Sequence, residues 1–350
     1  MLLSVLSTTD PLVRDLAALA ASDCADLLTC DFDEDDAVLR LTRHGRQLWE
    51  HRIPLAHPCL TCSLREAVVP ALVDMAHGGT ERLTLCLPTA VEPVVVVPLL
   101  AGLTQAGEAL EHCEVTTCVH AISQDNARRD LLTHTPLSEV GLALFEDDTR
   151  CTGEVLMTSL GYADVLLSIG EDELGGDLVE HLRPFDTLRL DHLDQVTADV
   201  LFVARHDVER AIERVHPAST SAWGGPTTHG VWTLDLHSER PFHPERLLEF
   251  ATDLAAGGTC ARGCFWLPSR PDTICTWEVN GGSASVGTAG GWETSAHTHI
   301  VVTGTGEDGV RERVEAAFSN ILMTEAEMPE AFVWIGADDG LSHWFPDEED

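Results

Sequence analysis

Leu2-Leu3-Ser4-Val5-Leu6-Ser7-Thr8-Thr9-Asp10-Pro11-Leu12 is the stretch that decides the fold. Leu2 to Leu6 is a short apolar run of strand length. Asp10 followed by Pro11 is a helix start, an N-cap side chain and then a residue whose missing N–H costs nothing in a first turn. The pair predicts a buried strand over residues 2–6 feeding a helix over residues 11–21. Three further apolar runs, Arg82 to Leu87, Val115 to Ala121 and Ala163 to Ile169, are separated by longer amphipathic segments. Strands joined by crossover helices build a mostly parallel sheet, so the first part of the chain is predicted to be an α/β domain.

The pattern breaks at the Pro-, Ser-, Thr- and Gly-rich stretch from Pro217 to Pro226. Residues 1–216 are therefore expected to form one domain, residues 217–226 a linker, and residues 227–346 a second. Beyond the linker the order is strand (230–237), helix (243–254), strands (263–267 and 273–279), strand (300–304) and helix (308–318). Strands in runs with helices to one side predict a smaller α+β domain.

Composition agrees with two globular domains. Hydrophobic residues are 44% and charged residues 23% of the 350, which excludes a disordered chain, and no run reaches the about 18 uninterrupted apolar residues of a membrane span. No basic residue precedes the first apolar run, so it is expected to be a strand and not a signal peptide, with the protein cytoplasmic. The balance of 21 basic against 58 acidic residues gives a formal charge of −37, and all 21 basic residues are arginine. Such a surface repels phosphate polyanions, so no extended nucleic-acid surface is expected and no mechanism that needs lysine can operate. Eleven cysteines without an export signal are expected to be thiols.

The second domain carries His229-Gly230-Val231, Arg240-Pro241-Phe242-His243-Pro244-Glu245-Arg246-Leu247, Arg262-Gly263 with Trp266-Leu267, and Ser269-Arg270-Pro271. Gly290-Gly291-Trp292, His299-Ile300-Val301 with Gly304, Leu322 with Thr324, Glu327 and Met328, then Trp334 and Phe345-Pro346 continue the series. These residues, at these spacings, closely resemble the C-terminal domain of CobW-type proteins across residues 227–346. The resemblance implies an N-terminal domain of P-loop-NTPase type and a role as a zinc metallochaperone or metal insertase.

Read against that family, the nucleotide chemistry is missing. A phosphate-binding loop needs glycines for its backbone cradle, a lysine for the terminal phosphate and a Ser or Thr for magnesium. Here the first strand is followed by Ser7, Thr8, Thr9 and Asp10, and the first glycine of the chain is Gly45. Asp10 also puts a carboxylate where the anion would sit. The family's acidic motif falls on Cys86-Leu87-Pro88-Thr89 with Glu92-Pro93, and its guanine-reading Asn-Lys-x-Asp on Ser168-Ile169-Gly170-Glu171. The resemblance thus implies a degenerate domain, with GTP binding and hydrolysis not expected, no catalytic residue assigned and the chain not read as an enzyme.

What persists is Cys59-Leu60-Thr61-Cys62-Ser63-Leu64-Arg65, which resembles the family's Cys-x-Cys-Cys metal motif with Thr61 in the middle position. Two thiolates with two residues between them can share one zinc at about 2.3 Å; the spacing also suits a buried or redox-sensitive thiol pair. Further ligands would come from His57, from Cys86 at a strand end, or from the acidic stretch Asp31 to Asp36. Cys260 and Cys264, flanking an expected turn at Arg262-Gly263, are a second candidate pair. His297 and His299 read as a partly exposed pair on one strand face, and His243 as a helix entry stapled by Phe242. The resemblance extends to degenerate CobW-like proteins of actinobacteria tied to zinc starvation. It therefore implies a zinc-homeostasis regulator with a protein partner, a ribosomal protein or a ribosome hibernation factor; a GTP-dependent zinc metallochaperone with an atypical nucleotide site and a protein-binding module using the C-terminal domain are the alternatives, and homodimerisation stays open.

Overall fold

A computed structural model describes residues 1–33, 36–55, 60–145, 147–306 and 309–345, with only the backbone described for residues 33, 60 and 62. The chain divides into two compact units, one of residues 1–127, 136–172 and 183–212, the other of residues 128–135, 173–182 and 213–350.

In the first unit the predicted strand is β1 (Leu2–Thr8) and the predicted helix α1 (Pro11–Cys24). They are followed by β2 (Asp26–Asp33), β3 (Asp36–Arg43), β4 (Arg46–Pro54), α2 (Leu60–Ser63), α3 (Val69–His77), β5 (Arg82–Cys86), α4 (Pro93–Leu103), β6 (Glu114–Ser123), α5 (Gln124–Leu132), α6 (Thr152–Tyr162) and β7 (Val165–Ile169). Next in the chain are α7 (Glu173–Leu182), whose residues belong to the second unit, β8 (Leu188–Leu190), α8 (Ala198–Phe202) and α9 (Val208–Val215). Eight strands form one sheet in the order β4-β3-β2-β5-β1-β6-β7-β8. Neighbours from β2 to β8 run parallel, and β2-β3-β4 is an antiparallel extension. Leu3, Val5 and Leu6 of β1 are all buried, as expected of a central parallel strand covered on both faces.

The antiparallel extension did not show in the apolar pattern because β2 mixes leucines with acids. Those acids are held by arginines: Asp26 accepts from Arg43 Nη2 at 2.7 Å, and Asp31 pairs with Arg40 at 2.6 Å.

The second unit holds β9 (Val231–Ser238), α10 (Pro244–Leu254), β10 (Thr259–Leu267), β11 (Arg270–Asn280), β12 (Ser283–Gly291), β13 (Thr298–Thr305) and α11 (Val310–Ile321). Its five strands lie in the order β12-β11-β10-β13-β9 and are antiparallel throughout. One sheet face supplies Leu234, Phe265, Trp277 and Ile300, which pack with Phe242, Leu247, Val314 and Phe318 in a single apolar cluster. Each such side chain contributes about 1.5–3 kcal/mol by leaving water, which is what holds α10 and α11 on that face. His243 is the N-cap residue of α10, and Phe242 and Leu247 are buried together at its entry, as the staple reading requires.

Two expectations are corrected here. Arg262-Gly263 is not a turn: both residues lie inside β10, opposite Glu278 and Trp277 on β11 and Val301 and Ile300 on β13. Glycine is present because a Cβ at position 263 would stand 2.1 Å from the His299 carbonyl oxygen, so the two strands approach only where a side chain is missing. Cys260 and Cys264 are consequently four residues apart on an extended strand, roughly 13 Å of chain, and do not converge on one ion.

Candidate functional site

In α/β sheets ligands bind beyond the C-terminal ends of parallel strands. Here that edge collects the ends of β1, β5, β6 and β7 at Thr8, Cys86, Ser123 and Ile169. Only Thr9 and Asp10 separate β1 from α1, too few for a loop that wraps a phosphate. Asp10 Oδ1 accepts hydrogen bonds from the Leu12 N–H at 2.9 Å and the Val13 N–H at 3.1 Å, while Oδ2 accepts from Asn126 Nδ2 at 2.8 Å. The first-turn N–H groups and the positive end of the helix dipole, which an anion would need, are thus engaged by the chain's own carboxylate. Thr8 Oγ1 accepts from the Asp10 N–H at 3.1 Å, and Ser7 Oγ lies 3.0 Å from His120 Nδ1 in the interior.

Arg14, one turn into α1, closes the same edge from the β5 side. Its Nε donates to the Leu87 carbonyl at 2.8 Å, its Nη2 to the Cys30 carbonyl at 2.9 Å, and its Nη1 pairs with Asp31 at 2.8 Å. Beneath it are two buried thiols. Burial pushes Cys30 up to about 12, with Asp31 adding to the rise and Arg14 opposing it. Burial likewise raises Cys86, against the pull of Arg14.

The remaining corners are closed in the same way. Arg150 Nη1 pairs with Glu92 at 2.6 Å and Nη2 with Asp148 at 2.8 Å. Burial raises the Glu92 carboxyl, whereas hydrogen bonding to the Arg150 fork holds Asp148 below the usual carboxylate range. At the end of β7, Asp125 Oδ1 accepts from the Glu171 and Asp172 N–H groups, each at 2.9 Å, and Gly170 adopts φ +139° against that carboxylate. These residues do not fit a guanine nucleotide: the phosphate end meets a carboxylate, and the segment that would read the base is tied to Asp125.

Of the residues proposed for zinc, His57 and Cys59 lie outside the described residues, as does the Cys62 side chain; the Cys62 backbone is in α2. Cys86 stands at the end of β5 as expected, wholly buried among Leu6, Val13, Leu27 and Val119. Of the acidic stretch, Asp31 is committed to Arg14 and Arg40. Among the described residues no three His, Cys, Asp or Glu side chains already converge as a metal site. Sequence reasoning did not find Arg14, Arg150 or Asp125, whose defining partners are distant in the chain, as Glu92 is for Arg150, or are backbone groups with no sequence signature. A cleft of about 770 Å³ in the same unit, lined by Gly102, Gln105, Glu114, Arg205 and Asp207, lies at the opposite, N-terminal end of β6.

The segment whose motifs carried the resemblance, β9 through α11, is matched by a family model. Residues 231–322 fit the cobalamin synthesis protein cobW C-terminal domain. The second unit carries a CobW C-terminal domain. A protein of Mycobacterium tuberculosis strain H37Rv named a zinc chaperone, and an uncharacterized protein of Mycobacterium bovis, are each 24% identical to it over 256 residues. The aligned stretch covers 69% of this chain and 61% of theirs, so the chain spans about three fifths of the length of the curated relatives it matches. Among solved structures, Zn(II)-bound YjiA GTPase from E. coli aligns with 92% of this chain and 98% of its own, at 12% identity and a TM-score of 0.37. No helix among the described residues is long and apolar enough to cross a membrane.

Proposed function

We propose that this CobW-type chain is a zinc-responsive pseudo-GTPase, which binds zinc through the Cys59–Cys62 loop and acts as a regulator or recruitment factor in zinc homeostasis. The observation that carries the reading is the Asp10 carboxylate on the N–H groups of Leu12 and Val13. A domain that caps its own anion site, and has no lysine to replace the lost charge, holds its sheet edge without nucleotide. The zinc half of the reading is supported by the Cys-x-x-Cys spacing and by a relative named a zinc chaperone. Zinc needs deprotonated thiols, so occupancy would tie the loop around residues 57–66 into one arrangement and make the chain's interactions depend on metal supply. His57 is the proposed third donor; Cys86 is the fourth only if the loop reaches past Arg14, whose charge opposes a divalent ion. A charge of −37 steers the partner toward basic proteins, in line with a ribosomal protein or a hibernation factor.

Calorimetry with GTP and magnesium, beside zinc stoichiometry of the wild type and the Cys59→Ser/Cys62→Ser double variant, tests this. The expected result is no GTP heat and one zinc equivalent lost in the variant. Tight GTP binding, or zinc content unchanged by the double substitution, overturns it. Co-sedimentation with ribosomes, expected only under zinc limitation and only for the wild type, tests the partner.

A further inference from the structure

We propose a second transition-metal site on the outer face of the five-stranded sheet, formed by Cys264, His297, His237 and His299. Cys264 on β10 lies opposite His299 on β13, and His299 lies opposite His237 on β9. Residues in register across antiparallel strands point to the same side, so a thiol and two imidazoles share one row. His297, two residues ahead of His299, joins them on that side.

The distances suit shared coordination. Rings that ligate one tetrahedral zinc through nitrogens at about 2.0–2.1 Å have centroids roughly 5 Å apart. The His237 and His297 rings are 5.8 Å apart and the His237 and His299 rings 5.5 Å. A sulfur and a nitrogen on such an ion stand about 3.6 Å apart; Cys264 Sγ and His297 Nε2 are at 3.8 Å.

The second atom of two rings is already engaged in the manner of a metal-bound histidine. His297 Nδ1 lies 3.3 Å from the Ser295 carbonyl, which makes Nδ1 the protonated nitrogen and leaves the Nε2 lone pair facing Cys264. His299 Nε2 lies 2.6 Å from Asp235 Oδ1, a carboxylate–imidazole pair that leaves Nδ1 for the ion. Trp292 packs against the His297 ring, with centroids 5.0 Å apart. Cys264 and His297 are within ligand distance of each other, and the rings of His237, which is exposed, and His299 stand beside them on the same face. The donor set of one sulfur and up to three nitrogens selects a borderline ion, zinc or cobalt(II), over magnesium or calcium.

The test uses the full chain in the Cys59→Ser/Cys62→Ser background, so that the first site cannot supply the signal. Titration with cobalt(II) is expected to give one equivalent with tetrahedral visible bands and a thiolate-to-cobalt charge-transfer band. His297→Ala removes both; Cys264→Ser removes the charge-transfer band alone; His237→Ala, an exposed change that leaves the fold intact, weakens binding. Asp235→Asn weakens it by about 10–100-fold without touching a ligand. Absence of tetrahedral cobalt in the background variant, or bands indifferent to both His237→Ala and His297→Ala, overturns the site and leaves these residues a packed aromatic cluster. Neither result bears on the Cys59–Cys62 reading, which is measured as the zinc equivalent lost between the wild type and the double variant.

Discussion

Asn126 donates its amide to the outer oxygen of Asp10 at 2.8 Å, and the inner oxygen of the same carboxylate accepts the first two free N–H groups of α1. One side chain therefore caps a helix and links the ends of β1 and β6. Asp10→Ala should lower the unfolding free energy by about 1–3 kcal/mol, the loss of a cap plus one buried-side hydrogen bond. Asp10→Asn should cost under about 1 kcal/mol, because an amide oxygen still caps and the Asn126 amide can flip to accept. Urea denaturation measures both. Neither variant should bind GTP, since removing the carboxylate restores neither the glycine cradle nor the lysine.

Arg14 satisfies the carbonyls of Cys30 on β2 and of Leu87 just past β5 and neutralises Asp31 at one stroke. Its side chain is 11% exposed and that of Asp31 29%, so the pair is partly screened and the lower end of the range for a broken buried pair applies. Arg14→Ala is expected to cost about 3 kcal/mol. Arg14→Lys should recover little, because an ammonium cannot span the fork that joins Leu87, Cys30 and Asp31. Thiol labelling under native conditions adds an independent readout: Cys30 and Cys86, now covered, should become reactive in Arg14→Ala.

Much of this was legible in the sequence and some was not, for physical reasons. The β1–α1 junction could be read because its information is local: an apolar run, a cap, a proline. The second unit could be read from motif spacing, down to Phe242 and His243 at the entry of α10. Strand β12 could not, since Ser283-Ala-Ser-Val-Gly-Thr-Ala-Gly-Gly291 carries almost no β-branched or aromatic signal and is a strand only because β11 pairs with it. The two arginine clasps, Arg14 and Arg150, were invisible for a related reason. Each meets at least one group far away in the chain, Cys30 and Leu87 for Arg14 and Glu92 for Arg150, and an arginine looks like any solvated arginine until such partners are placed.

His120 makes stability depend on acid. It is wholly buried with its Nε2 unpaired, and burial pushes it down to about 3. The unfolded chain protonates near 6.5, so between about 3 and 6.5 the unfolded state binds more protons and stability falls as the pH falls. The group contributes fully above about 6.5 and should cost about 2 kcal/mol by pH 5. Comparing denaturation at pH 7 and pH 5 for wild type and His120→Gln isolates it: the variant should lose less than the wild type by that amount. Equal losses would mean that another titrating group controls the acid limb.

Gly263 is the most demanding position in the second unit. A methyl group there would sit 2.1 Å from the His299 carbonyl oxygen and 2.7 Å from the Ile300 Cα, both backbone atoms that cannot move without parting β10 from β13. Those strands carry Phe265 and Ile300 into the core, so separating them exposes the apolar cluster as well as the ladder. Gly263→Ala is therefore expected to destabilise by more than about 4 kcal/mol, the range reserved for a named steric failure. Gly257→Ala is the matched control: nothing lies within 4 Å of its added methyl, and it should change stability by no more than about 1 kcal/mol in either direction. Tryptophan fluorescence, to which the buried Trp277 contributes, reads both. A folded, wild-type-like Gly263→Ala would show that β10 and β13 tolerate a wider spacing, and with it that the row Cys264–His299–His237 is not held rigidly by the sheet.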